Sequence, residues 1–316
     1  MSFESSTRLR VRLLTPAARR AARQRVLTVL ETTGRPSTGR ALDDLAAAFA
    51  TFDRAELWLA LAVLHGELPA ASELRRIRRL TELDGPWAAL QRTLTLAATG
   101  GSYPLVRVIG PGTTLLDVTG LQAGASTNGG EVAQRLASEW ATAPGVVPVT
   151  WTASRKALRA LTPQESIELG YPAPSLSAEE ILVPHNAAYV LVGTADKPRS
   201  SECLIALGQS SENATASIGF GLGPLIGPEA YRRQEAEERF SWHVAAQRSF
   251  GTLVVVGSGI MEHYRGWERM LPAVGFAGPK LIEFAVTPAA DEAQTPNDWP
   301  AISHSVGSAI GIYAGR

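Results

Sequence analysis

A chain of 316 residues with zero formal net charge, 45% hydrophobic and 19% charged, carries enough apolar material for the core of one large domain or two smaller ones. The charge balance argues against a global nucleic-acid or membrane footprint, and a single cysteine, Cys203, excludes an internal disulfide and suits a reducing compartment. No apolar run is long enough to span a bilayer, and Met1 to Thr15 alternates Arg with Leu and Val without a signal-peptide core, so a cytoplasmic protein is expected.

From Thr15 to Ala98 the spacing predicts only helices. Pro16 suits a first-turn position before AARRAARQRVLTVLE, and further helices are expected over Ala41 to Ala50, Arg54 to Leu64, Ala70 to Leu80 and Pro86 to Ala97, separated by glycine signals. Residues 1–100 are thus expected to form an all-helical module, followed by a Gly/Pro-punctuated linker over 101–112. Arginines 8, 10, 12, 19, 20, 23 and 25 admit two readings: a solvated helix face, or a weak peripheral contact with anionic lipid to which each cation contributes roughly 1 kcal/mol.

The stretch Gly112 to Trp140 changes character. Thr113 to Val118 is an aliphatic and β-branched run suited to a strand buried on both sides of a parallel sheet. A glycine-rich loop follows, and from Glu131 the pattern turns helical, with Val132, Leu136 and Trp140 on one face. In a strand, glycine turn and helix of this kind, the helix N-terminus and loop amides can approach an anion. An ordinary tight connection, with Gly129 and Gly130 supplying unusual backbone angles, accounts for the same residues.

Strands and helices then alternate. Strands are expected at Val146 to Trp151, Ile181 to Pro184, Tyr189 to Val192, Thr215 to Phe220, Thr252 to Val256 and Lys280 to Val286. Helices are expected at Glu202 to Leu207, Glu229 to Ser249 and Ile260 to Leu271. The fold class is therefore α/β, a Rossmann-like parallel sheet with helices on both faces over residues 113–298, preceded by the helical module. Ligands on such sheets sit at the carboxyl ends of the strands, so the loops after Val118, Phe220 and Val256 should share one rim.

Candidate chemistry is sparse. His185, in VPHN at a strand end, suits a general base or a phosphate donor, or a loop histidine bonded to backbone. Asp117 suits either orientation of an acceptor hydroxyl or satisfaction of local amides, and Ser258 either a rim contact or an N-cap. His, Cys and acidic residues form no zinc-like cluster, and no nucleophile elbow is present. Leu253 to Phe284, with Gly257, Gly259 and Glu283, imitates a dinucleotide-binding fingerprint, but Glu262 stands at the third glycine position, where it would crowd a pyrophosphate.

The ordered set DVTGL, NGGEVAQRLASEW, VVPVTW, ILVPHNAAYVL, SIGFGLGPLIGPEAY, ERFSWHVAAQRSFGTLVVVGSGIMEHYRGW and GFAGPKLIEFAVTP, over roughly residues 40 to 290, resembles the first domain of group 1, family-four-like glycosyltransferases of the GT-B fold. The helical front, with AELWLALAVLHGELPAASEL, is similar to an extension on some actinobacterial members. The resemblance implies transfer of a hexosyl group from a nucleoside-diphosphate sugar to an acceptor hydroxyl on a glycan or lipid-linked acceptor, with no further cofactor and no metal. It assigns Asn128, Gly129 and Gly130 to the donor diphosphate, with the amide of Glu131 beside them, while Gly221 and Ser258 are candidates for the acceptor or the rim. Where the family tends to show Ile-Gly-Tyr-Asp, this chain reads Ile218, Gly219, Phe220, Gly221, so an acidic group is missing from that rim.

The family's donor half is a second domain or would be supplied by a partner chain. Residues 299–316 include HSVGSAIGIYAGR, which resembles the first strand and loop of such a domain, and the Glu-rich donor motif is absent from the sequence. The chain by itself is therefore expected to be incomplete or inactive. A non-catalytic binding or scaffold protein of glycosyltransferase ancestry is the alternative, and a nicotinamide oxidoreductase a third.

Overall fold

The computed structural model describes residues 16–99, 104–121, 130–195, 197–222, 234–256, 258–284 and 299–310. Five helices fill the first third: α1 (Pro16–Thr32), α2 (Ala41–Phe49), α3 (Arg54–His65), α4 (Ala71–Asp84) and α5 (Pro86–Thr99). The start of α3 is set locally by a capping box, in which Asp53 accepts from the Glu56 amide at 2.8 Å while Glu56 accepts from the Asp53 amide at 3.0 Å. Gly66 ends it in the left-handed conformation at φ 65°. Between those caps Leu57 to Leu64 are all buried, so α3 is a helix apolar on every side, at the centre of the others.

The rest is a mixed, mostly parallel sheet of nine strands: β1 (Val106–Ile109), β2 (Thr114–Asp117), β3 (Val146–Trp151), β4 (Leu158–Ala160), β5 (Ile181–Pro184), β6 (Ala188–Leu191), β7 (Ala214–Gly219), β8 (Thr252–Val256) and β9 (Lys280–Phe284). Its hydrogen-bonded order is β1-β5-β4-β3-β2-β6-β7-β8-β9. Six further helices complete the described chain: α6 (Gly130–Ala141), α7 (Pro163–Leu169), α8 (Pro198–Ser210), α9 (Gln234–Arg248), α10 (Ser258–Met270) and α11 (Trp299–Ala309). The α/β, Rossmann-like reading of the sequence holds at this level.

Winding direction explains the two faces. From β2 the chain crosses through α6 to β3 on one side; from β6 it crosses through α8, α9 and α10 to β7, β8 and β9 on the other. Right-handed crossovers require the helices to change face when the direction reverses. Side-chain alternation shows that they do. Leu115, Tyr189 and Leu191 pack with α8 and the first five helices, Leu253 and Val255 with α10, whereas Leu116, Val190, Ala216 and Val254 pack with α6 and α11.

Several expectations change. The stretch 101–112, read as a linker, contains β1. β1 passes into β2 through Gly110 to Thr113 and β5 into β6 through His185 to Ala187, and the hydrogen bonds His185 N to Ile109 O and Ala188 N to Thr113 O carry the pairing across both breaks. β1·β5 and β2·β6 are thus two segments of one bent parallel ribbon, with Gly112 at φ 80° and Asn186 at φ 53° at the bend. β4 and α7 have no counterpart among the expected elements, and β4 makes the sheet mixed because it pairs antiparallel with β3 and β5. Of the tail read as the first strand and loop of a second domain, the described residues 299–310 carry a helix instead: Trp140 Nε1 donates to Ser303 O at 2.9 Å, and Val306 and Ile310 enter the same core cluster as α6. The first five helices do not close a core of their own either. Their cluster, with Val29, Leu61 and Ile77, runs on without interruption into Leu115, Leu158, Tyr189 and Leu204.

The basic segment is corrected in part. Arginines 8, 10 and 12 lie outside the described residues, and Arg19, Arg20 and Arg23 are exposed. Arg25, at 4% exposure, is internal: its guanidinium donates to Leu64 O at 3.0 Å and to Pro104 O at 2.6 Å, tying α1 to the carboxyl end of α3 and to the segment before β1. A Cβ at Gly66 would come within 2.9 Å of that guanidinium, so the turn needs glycine for space as well as for angle. Arg25→Met would strand two carbonyls and is expected to lower stability by about 2–3 kcal/mol in a denaturant titration. An unchanged midpoint would show that Arg25 ties nothing.

A second expectation concerns pH. Arg159 holds Glu165 in a two-pronged contact, both at 2.7 Å, and the hydrogen bonds from Arg159 bring the Glu165 carboxyl down to about 2. A depressed carboxyl stabilises the fold above its ordinary value, near 4.5, and that contribution fades as pH falls from there through about 2. In Arg159→Met the fold should lose stability at pH 6 and show a weaker acid dependence between pH 4.5 and 2. Parallel stability–pH curves for the two proteins would contradict this.

Candidate functional site

The reversal of winding makes a topological switch point at the carboxyl ends of β2 and β6, where neighbouring connections depart in opposite directions and sheets of this class open a crevice. Register puts the strand tips at one rim: Asp117 pairs with Leu191, Leu191 with Ser217, and Gly219 with Val255. Helices α6, α8 and α10 all begin on this side, so their first-turn amides open toward the rim.

Asp117 lies at the seam, fully buried. Its Oδ1 accepts from the Thr119 amide at 2.9 Å, and its Oδ2 accepts from Trp151 Nε1 at 2.7 Å and from the Tyr189 hydroxyl. Burial, then the Asp117 charge, pushes the Tyr189 phenol well above its ordinary range, so it stays a donor. Three donors offset the cost of taking a carboxylate out of water. Asp117 is therefore a positioning residue that clamps β2, β3 and β6 together, and at 0% exposure its carboxylate is out of reach of an acceptor at the rim. Asp117→Ala would leave two buried donors and one half-buried donor without a partner and is expected to cost about 3–5 kcal/mol, with Asp117→Asn milder. Equal thermal stability of Asp117→Ala and wild type would refute the clamp.

His185 is at the wrong end for rim chemistry. The strand it closes runs straight on into β6, so His185 to Ala187 occupies the amino end of β6. Asn213, just before β7, holds this break by accepting from the Ala187 amide at 3.0 Å and donating to Pro184 O at 3.1 Å. The short VPHN segment looks like a strand terminus in sequence because the bend is invisible to local patterning.

The other predicted residues divide. Asn128 and Gly129 lie outside the described residues; Gly130 opens α6 and Glu131 follows it, their side chains not among those described. The chain nevertheless leaves β2 at the rim shared with β7 and β8, and α6 returns from it. Gly221 follows β7 at the rim with φ 123°, and Ser258 is the first residue of α10, again with its side chain outside the description. Glu283, available to a ribose in the dinucleotide reading, is bound to Arg265 at 3.2 Å, which also holds Glu262 at 2.6 Å.

Sequence reasoning missed several groups that shape this side. His243 on α9, 6% exposed, accepts from the Ala195 amide through Nδ1 at 3.2 Å, and Ser201 donates to Ala195 O at 3.1 Å, so the connection after β6 is held from both directions. The Tyr264 ring lies against Gly219, where a Cβ would approach it to 2.9 Å, and burial raises its phenol to about 12. Beside the rim, on the face that carries the first five helices, a cavity of about 750 Å³ opens between α4, the turn from β3 to β4 and the first turn of α8. Its charged lining comes from Arg76, Lys156 and Arg199, with Glu67, Glu73 and His65. Burial holds the His65 imidazole below its ordinary value, against the opposing pull of Glu73.

Among the described residues no group of three or more His, Cys, Asp or Glu could hold a metal, and no helix is long and apolar enough to cross a membrane. Cys203, buried and donating to Leu68 O, has its thiol raised to about 12 by burial and is a packing residue. No protein-family model matches the chain, and no curated protein matches it in sequence.

Proposed function

We propose that this chain is glycosyltransferase-like and receives the diphosphate of a nucleotide sugar at the rim where β2 and β6 part, for transfer of a hexosyl group to an acceptor hydroxyl. The supporting observation is the switch point itself: the connection that contains Asn128 and Gly129 starts from the tip of β2 and ends at Gly130, the start of α6, on the same side as the tips of β7 and β8. Helix-start amides in such a crevice suit a leaving diphosphate, because their partial positive charge is fixed in place before charge develops on the phosphate oxygens. In the transfer the bond from the anomeric carbon to the phosphate oxygen breaks, a bond to the acceptor oxygen forms, and the hydroxyl proton leaves with a base.

A second reading, a binding or scaffold protein without turnover, is favoured by Asp117, because the carboxylate at the seam is fully buried among three donors and out of reach of that proton. The two readings share the ligand and differ in chemistry. Calorimetry with a panel of nucleoside-diphosphate hexoses should show binding that is lost, by more than about tenfold in affinity, in Gly129→Val/Gly130→Val with the fold intact. Unchanged affinity in that variant would remove the diphosphate assignment. Release of free nucleoside diphosphate in the presence of glycan acceptors would select the transferase, and tight binding with no release the scaffold.

A further inference from the structure

The cavity between the helical bundle and α8 has a charge arrangement that the rim reading does not use. Its two carboxylates already have partners: Glu67 faces Lys156 at 3.3 Å, and Glu73 faces His65 at 3.3 Å on the buried side. Its two guanidinium groups do not balance in the same way. Arg76 makes no ion pair with a described residue. Among the described residues Arg199 forms an ion pair with Glu202 alone, at 3.5 Å and one turn along its own helix, while its Nε is buried and without a hydrogen-bond partner there. A buried, unsatisfied guanidinium N–H is costly unless something accepts from it.

The surroundings supply more donors of the same kind. Ser72 and Arg76 are one turn apart on α4, and Thr152 and Ser154 come from the tight turn after β3. That turn is tied to the bundle by the hydrogen bond from the Leu68 amide to Lys156 O at 2.7 Å, so the wall carrying its hydroxyls is fixed to the bundle. Two arginines and three hydroxyl residues line one space, Thr152 and Ser154 sharing a hydrogen bond at 3.0 Å, and this set matches the oxygens of a doubly charged tetrahedral anion, for which arginine offers paired, charge-assisted hydrogen bonds. At about 750 Å³ the space exceeds what a bare ion fills.

We propose that this cavity binds a phosphate dianion, free or as the head of a small hydroxylated phosphate monoester, through Arg76 and Arg199. Inorganic phosphate and glycerol 3-phosphate are the probes, with potassium chloride at matched ionic strength as the control. Both are expected to raise the melting temperature and to bind one per chain at this site; tighter binding of glycerol 3-phosphate identifies a monoester site, and equal binding a phosphate site. Arg76→Gln/Arg199→Gln is expected to weaken binding by at least about tenfold, while Arg75→Gln, on the same helix but outside the cavity, leaves it unchanged. Arg76 is exposed, so Arg76→Gln alone carries the comparison if the double variant does not fold. Gly129→Val/Gly130→Val should keep this binding, which separates the cavity from the rim. Stabilisation no greater than with chloride, or equal in wild type and Arg76→Gln/Arg199→Gln, would overturn the proposal.

Discussion

The handedness of strand crossovers governs this molecule. A chain that moves one way across the sheet from β2 and the other way from β6 must lay its connecting helices on opposite faces, and the tips of those two strands are left with their connections diverging. That divergence makes the switch point and turns the amide ends of α6, α8 and α10 toward it. At that seam the two paired strands belong to opposite windings.

Asp117 ties that seam. Its carboxylate takes donors from its own loop, from β3 and from β6, so the seam is closed by one ion with three satisfied contacts rather than by apolar packing alone. Arg25 plays the matching part at the other boundary, joining α1, the end of α3 and the segment before β1 through two carbonyls. Both are buried charges whose removal leaves unpaired groups behind, which makes them structural ties. Any chemistry at the rim then depends on main-chain amides and on side chains brought by the connections after the strands.

The bundle and the sheet are joined by one continuous core, and the polar cavity lies beside that joint. Its walls come from α4, from the turn after β3 and from α8, segments distant in sequence that only the packing of bundle on sheet brings together. The same packing leaves Arg199 Nε inside and unanswered while Glu67 and Glu73 are paired.

Local pattern determined a good deal. Helices α2 and α3, strands β3, β5 and β8 and the alternation of β and α follow from periodicity, capping residues and glycine punctuation, because those signals act within one turn or a few residues. β1 and β4 escaped notice, since β1 carries Arg107 and sits in a Gly/Pro-punctuated stretch, β4 is only three residues long, and both exist through partners elsewhere in the chain. Asp117 and His185 show the sharper limit. Of the three residues that engage Asp117, Thr119 is local, but Trp151 and Tyr189 are 34 and 72 positions away, and the bend that moves His185 to the opposite rim is one turn shared by two paired strands. Whether a carboxylate is a reagent or a rivet, and which end of the sheet a histidine faces, depended on long-range contacts that no local spacing encodes.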